Sequence, residues 1–335
     1  MALTSQQDKP GFNYRRLLLI LLLAGLILIP IFTSRFYVYL TIQIFLLSLL
    51  ALGFNLLLGY TGLLSFGHAA FYATGAYATG LTLMRLTPSL LPAFFAGILV
   101  SALMALAIGF FCVRHTRIYF AMLTLAFGMM IYSLAWDWTS VTGGDDGLIG
   151  IPRAPLEIPG LFSISMRSMS RYYYFVLTVT VLVVYGLHRV VHSPFGLILQ
   201  GIRENENRVM FAGIPVRRYR LIAFVISGVV AGLAGSMLAP LENTIAPTEA
   251  HWSKSAEPVF VTLLGGIHTF EGPIVGAALY LLIKEFIVRY TEFWLMWFGV
   301  VLLVLVLGFR GGVVGFFYER ALAKLFAERG EGDGK

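Results

Sequence analysis

Two histidines stand where acid–base or metal chemistry would be most conspicuous. His68 and His268 lie in long apolar stretches, each inside a glycine-rich segment. An imidazole there could relay a proton, touch a solute or hold a metal. Neither has a second histidine or a cysteine at helical spacing, which argues against a metal site. A neutral imidazole hydrogen-bonded inside a bundle or at an interface is the plainer reading, with solute contact as the other. The carboxylates and lysine nearest the apolar runs, Glu257, Glu271, Lys284, Glu285 and Glu292, fall towards their ends. Charge inside a membrane is expensive and kept for function, so this scarcity argues against a proton- or sodium-coupled relay. No paired Ser/His or Asp/Asp set suits an intramembrane enzyme. No G-x-x-x-x-G-K-[ST] loop is present, and the single Gly-Lys pair is Gly334-Lys335. If ATP drives this protein, the ATPase is another chain.

A second group of residues suggests mechanical coupling rather than catalysis. The segment HSPFGLILQGIRENENRVMFAGIPVRRYR, residues 192–220, is too polar to cross a bilayer. Ser193 suits a helix N-cap, Pro194 the first helical position, and Gly213 followed by Pro215 a left-handed stop. These signals predict one helix over 194–212, about five turns long. Arg203-Glu204-Asn205-Glu206-Asn207-Arg208 is polar all round, and Ile198, Ile202, Val209 and Ala212 form an interrupted apolar stripe. Such a helix suits docking into a partner's groove. It also suits lying on the inner leaflet, although Glu204 and Glu206 offset the arginines. A third group, Gly143-Gly144-Asp145-Asp146-Gly147, reads equally as a Gly-Asp turn or as a contact surface.

The elements that must position these groups are membrane helices. The 335 residues are 58% hydrophobic and 12% charged, against about a quarter charged in soluble domains. One cysteine, Cys112, excludes a disulfide framework and a multi-cysteine metal site. The net charge of +7 is scattered between apolar runs, which favours membrane topology over nucleic-acid binding. With about 20 residues per span, the candidates are 17–33, 36–58, 62–84, 90–112, 118–138, 172–190, 220–241, 256–268, 273–290 and 293–309. The run after Lys9, Arg15 and Arg16 lacks a small-x-small cleavage pattern and is expected to be a retained first span. An inside N-terminus puts 16 of the 24 basic residues on the inner side. Both ends are then cytoplasmic, with tails 1–16 and 310–335, an inner segment 191–219 and an outer loop 139–171.

Divided five and five, the spans form two halves of opposite orientation. The glycine-rich third span, with Gly59, Gly62, Gly67, Gly75 and Gly80, matches the short eighth span and its continuation, with Gly265, Gly266, Gly272 and Gly276. Glycine-interrupted helices at matching places in inverted repeats point to a transport pathway, while close helix packing is the alternative. The candidate pathway residues are Ser65, Phe66, Gly67, His68, Thr262, Gly265 and Gly266.

Four segments carry a family likeness: GYTGLLSFGHAAFYATGAY from residue 59, TGGDDGL at 142–148, GIRENENRVMFAGIPVRRYRLIAFVISGVVAGLAG from 201, and VTLLGGIHTFEGPIVGAAL from 261. In this order they resemble the branched-chain amino acid permeases of the LivM type. The resemblance implies an all-α permease of about ten transmembrane helices in two inverted five-helix halves, in a bacterial inner membrane. It implies a second homologous permease as heterodimer partner, two cytoplasmic ATPase subunits carrying the ATP and magnesium, and a periplasmic or extracellular solute-binding protein. It implies no cofactor in this chain, with lipid rather than nucleic acid as its surroundings. The inner helix would dock on the ATPase, with Glu206 and Gly213 at the family's coupling positions and Arg203, Glu204 and Arg208 beside them. The general importer motif E-A-A-x-x-x-G is one residue shorter than the Glu206-to-Gly213 interval, and His268 stands where the pattern has glycine. Loop 139–171 would receive the binding protein. Related permeases carry urea or short amides, and a stand-alone carrier or channel is the rival from another class.

Overall fold

A computed structural model describes residues 14–158, 162–308 and 311–316 of the chain. Most of the expected tails, 1–16 and 310–335, lies outside the described residues. A helix overlaps each of the ten expected segments. The first five are α1 (Tyr14–Phe32), α2 (Arg35–Thr61), α3 (His68–Arg85), α4 (Leu90–Cys112) and α5 (Arg117–Asp137), followed by the single turn α6 (Thr139–Thr142). The remainder are α7 (Met169–Val191), α10 (Val216–Glu242), α11 (Trp252–Gly265), α12 (Gly272–Val288) and α13 (Trp294–Gly308). Between α7 and α10 lie α8 (Pro194–Glu204) and α9 (Glu206–Phe211). Among the described residues there are also two small ribbons: β1 (Leu148–Ile149) pairs with β4 (Thr244–Ile245), and β2 (Leu156–Ile158) with β3 (Phe162–Ile164), both antiparallel.

Among the described residues, five helices, α2, α4, α5, α7 and α10, are long and apolar enough to cross a membrane. Their burial separates two roles. The most apolar stretches of α2 and α10 are 83% and 72% buried, whereas those of α4, α5 and α7 are 33%, 33% and 28% buried. α2 and α10 are therefore the central pair, and the others turn apolar faces outward. On α4, Phe95, Leu99, Leu103 and Leu106 are all exposed along one stripe. An apolar face of that kind suits lipid, not water.

Small residues let the central helices meet. A Cβ on Gly75 of α3 would lie 2.0 Å from the Gly232 carbonyl of α10, and one on Gly235 would lie 1.8 Å from the Tyr72 carbonyl. The α11–α12 pair repeats the device, with Gly276 against the Val261 carbonyl at 2.0 Å. Membrane helices lack a hydrophobic drive towards one another, so close backbone approach carries their packing.

Neither glycine-rich helix is interrupted within its length, contrary to the expected pattern. α3 is continuous and carries Gly75 and Gly80 inside it, while Gly62 and Gly67 precede it in a non-helical stretch. α11 runs unbroken to Gly265, and its break follows it at 266–271. The non-helical segments thus precede the third helix of the first half and follow that of the second. Gly62 has φ +72 and closes α2, with its own N–H and that of Leu63 reaching back to the Leu58 and Leu57 carbonyls. That conformation favours glycine.

Candidate functional site

The expected helix over 194–212 is two helices. Asn205, with φ −157 and ψ 99, leaves the helical region, and its side chain accepts a hydrogen bond from the Arg208 N–H at 3.0 Å. It therefore ends α8 and caps α9, a choice Asn favours because its short amide competes with helical hydrogen bonding. Pro194 opens α8 and Gly213 takes φ +81 after α9, as their types suggest. Ser193 occupies the N-cap position, but its hydroxyl donates to the Val190 carbonyl instead of capping α8.

Two side chains tie this segment to the bundle. Arg220, in the second turn of α10 and almost wholly buried, donates to both Glu206 carboxylate oxygens at 2.8 and 2.7 Å. This planar, two-bonded pairing is the strongest geometry an ion pair adopts. Arg203 donates from Nη1 to the Gly59 carbonyl of α2 and to His268 Nδ1 at 3.1 Å. An arginine has no acceptor, so His268 presents its Nδ1 lone pair. Asn55 Nδ2 adds a hydrogen bond to the Thr269 carbonyl at 3.3 Å, seating the 266–271 stretch against α2. Arg203, Glu204, Glu206 and Arg220 line a polar cavity of about 570 Å³, together with Gly62 and Arg117 of the first half. Glu204, Arg208 and Gly213 are exposed, and Phe211 is 92% exposed. The clamp therefore holds α8 and α9 from one side and leaves Met210 and Phe211 uncovered on the other.

The candidate pathway residues are packed. Ser65, His68 and Thr262 are fully buried. Ser227 Oγ donates to the Gly53 carbonyl at 2.5 Å, so at 2.6 Å it accepts from His68 Nε2–H. Thr262 is bonded to the Pro258 carbonyl of its own helix at 2.7 Å. Phe66 N–H reaches Thr124 Oγ1 at 3.2 Å, and Gly67 backs onto the Thr124 carbonyl. Ser255 of α11 accepts from Ala69 N–H at 2.9 Å and caps α3 from another helix. The two glycine-rich regions are thereby joined. Gly265 abuts the Gly272 carbonyl, and Gly266 has φ +124.

At the other end, Gly143, Gly144 and Gly147 have φ of +85, +66 and +73, which only glycine adopts readily. They fold a tight turn that leaves Asp145 and Asp146 exposed. The β1–β4 pairing, Leu148 to Ile245, joins this turn to the α10–α11 connection. Arg153 donates to the Pro240 and Leu241 carbonyls at 2.9 and 2.8 Å and caps α10. Four charged residues, of which Glu257 alone draws notice in the sequence, also meet here: Glu242, Glu249, Lys254 and Glu257, with Lys254 Nζ 3.5 Å from Glu249 and 3.0 Å from Glu257.

Residues 36–309 match the family described as "branched-chain amino acid transport system / permease component". The chain belongs to this family. The high-affinity branched-chain amino acid transport system permease protein LivM of Escherichia coli is 27% identical over 95% of this chain and 79% of its own length. The LivM protein of Salmonella typhimurium is 28% identical over 85% of this chain and 71% of its own length. The probable branched-chain amino acid transport permease protein LivH of Methanocaldococcus jannaschii is 27% identical over 69% of this chain and 73% of its own length. No solved structure matches. Family membership and the apolar helices make this a multi-pass membrane protein. The matched region contains the Arg203 and Glu206 clamps, the glycine-rich helices and the Gly-Asp turn.

Proposed function

We propose that the chain is the permease subunit of an ATP-driven importer for branched-chain amino acids, held in a bacterial inner membrane with both termini cytoplasmic. The permease domain is 17–309, with ten spans in two inverted halves, α1 to α5 and α7 with α10 to α13. The partners are a second permease, two cytoplasmic ATPase subunits that carry ATP and magnesium, and an external solute-binding protein. Segment 191–219 faces the ATPases, and loop 139–171 faces the binding protein.

The observation that carries this reading is the double clamp on α8 and α9 within a chain of the permease family. Arg203 fixes α8 to α2 and to the 266–271 stretch, and Glu206 fixes α9 to α10. Motion delivered to the exposed face around Met210 and Phe211 therefore reaches both central helices. The non-helical stretches beside α3 and α11 are the places where that motion reorients the bundle, with Ser65, Phe66, Gly67, His68, Thr262, Gly265 and Gly266 lining or gating the route. Affinity purification of the tagged chain from its native membrane tests the reading. A copurifying ATPase lost on Phe211→Asp supports it; a chain purified without an ATPase sinks it.

A further inference from the structure

A cavity of about 230 Å³ lies between α2, α10, α11 and α12, at the end of the bundle where β1 meets β4. It is smaller than the roughly 300–1,000 Å³ that drug-sized ligands occupy. Its wall is apolar and its rim is charged. Leu46, Leu47 and Leu50 come from one face of α2, Leu238 from α10 and Leu281 from α12.

The rim carries both signs of charge in unequal number. Glu242, Glu249 and Glu257 face Lys254 and Lys284, which leaves one carboxylate in excess. Lys254 is engaged by Glu249 and Glu257. Glu242 takes neutral donors, the Tyr39 hydroxyl at 2.5 Å and the Gln43 amide at 3.4 Å. Those bonds orient the carboxylate without neutralising it. Lys254 has three N–H donors; Glu257 at 3.0 Å and Glu249 at 3.5 Å engage two and leave one. Glu249 Oε2 is shielded from solvent and meets only the Lys254 ammonium, at 3.5 Å and without hydrogen-bond geometry, so the rim is not saturated.

We infer that this cavity is a solute subsite for a zwitterionic amino acid with an aliphatic side chain. Glu242 takes the ammonium group, Lys254 donates to the carboxylate, and the leucine wall holds the branched side chain. The inference rests on the importer reading above and adds to it a recognition site in the permease itself. Thr244 lines the cavity and pairs with Ile149 of the outer loop, so the subsite lies beside the face that receives the solute.

The test uses the whole complex in vesicles, with saturating L-leucine-loaded binding protein outside. Glu242→Gln keeps the acceptor for Tyr39 and removes the charge; Leu281→Phe narrows the cavity from a half-buried position. Each is expected to lower leucine uptake at least tenfold while docking and ATPase stimulation stay within twofold, so that far more ATP is hydrolysed per leucine imported. A structural lesion would lower assembly or ATPase stimulation as well. Uptake within twofold of wild type in either variant overturns the subsite and leaves the permease reading standing. Loss of assembly in both variants makes these residues structural and also overturns it. A wild-type complex that imports no leucine with ATP overturns the permease reading, and the subsite with it.

Discussion

Arg220, in the second turn of α10, holds through two hydrogen bonds the carboxylate of Glu206, the first residue of α9 and 14 positions before it. The two partners are unequally buried, at 5% and 33% side-chain exposure. Removing one is therefore not equivalent to removing the other. A carboxylate left by Arg220→Met can still reach water, whereas a guanidinium left by Glu206→Ala stays buried and unpaired.

Glu206→Ala should destabilise by about 2–4 kcal/mol, below the upper end for fully buried pairs because Glu206 reaches solvent. Arg220→Met should cost about 1 kcal/mol, near the cost of one lost hydrogen bond. Thermal unfolding in detergent of both variants and the double variant checks this. A double variant more stable than Glu206→Ala alone is the expected result; strictly additive losses would show that the pair is not coupled.

Gly213 has φ +81, and no heavy atom lies within 4 Å of where a β-carbon would stand, so a side chain there meets backbone strain without a clash. Asn tolerates that conformation, and a β-branched residue does not. Gly213→Asn should keep ATPase stimulation by the loaded binding protein near wild type, and Gly213→Val should lose most of it. Equal behaviour of the two variants would remove the turn from the coupling account.

Gly75 and Gly235 have the opposite limitation, because helical backbone suits any residue but the space is filled. Gly75→Leu or Gly235→Leu should cost more than the roughly 1–3 kcal/mol usual for overpacking, since the neighbour is backbone. Gly186, with nothing within 4 Å, serves as the control. Fluorescence-detected size exclusion should show loss of folded protein for the first two and none for Gly186→Leu.

The positions of the helices were legible because a span needs only length and apolarity, and α4 matches its expected bounds of 90–112. The ends of the 194–212 segment were legible in Pro194 and Gly213 for a similar local reason. The break at Asn205 was not, although Asn directly before an acidic residue, Glu206, is a cap signal; the surrounding run of helix-compatible polar residues masked it. The Arg203 clamp and the cap on α3 were illegible because their partners come from distant places, whereas the Glu206–Arg220 pair was hidden by the turn at Gly213 between its two helices. Arg203 meets Gly59 across 144 residues, and Ser255 caps α3 across 186. The glycine clusters left a pathway and close packing both open, and within them Gly75 and Gly276 serve close packing. Residue type cannot separate those two uses, because both require the same missing side chain.

The charged rim was hidden for a related reason. Glu242, Glu249, Lys254 and Glu257 each stand near the end of a helix or in a connection, where an isolated charge is unremarkable. The β1–β4 pairing and the packing of α10, α11 and α12 against α2 bring them to one cavity.

Labelled L-leucine uptake into vesicles containing the chain with its second permease and two ATPases tests the central claim most directly. With loaded binding protein outside and ATP–magnesium inside, leucine should accumulate above its external concentration, and uptake should fall to background when ATP or the ATPases are omitted. Leucine accumulation that persists without ATP and without the ATPases would contradict the account.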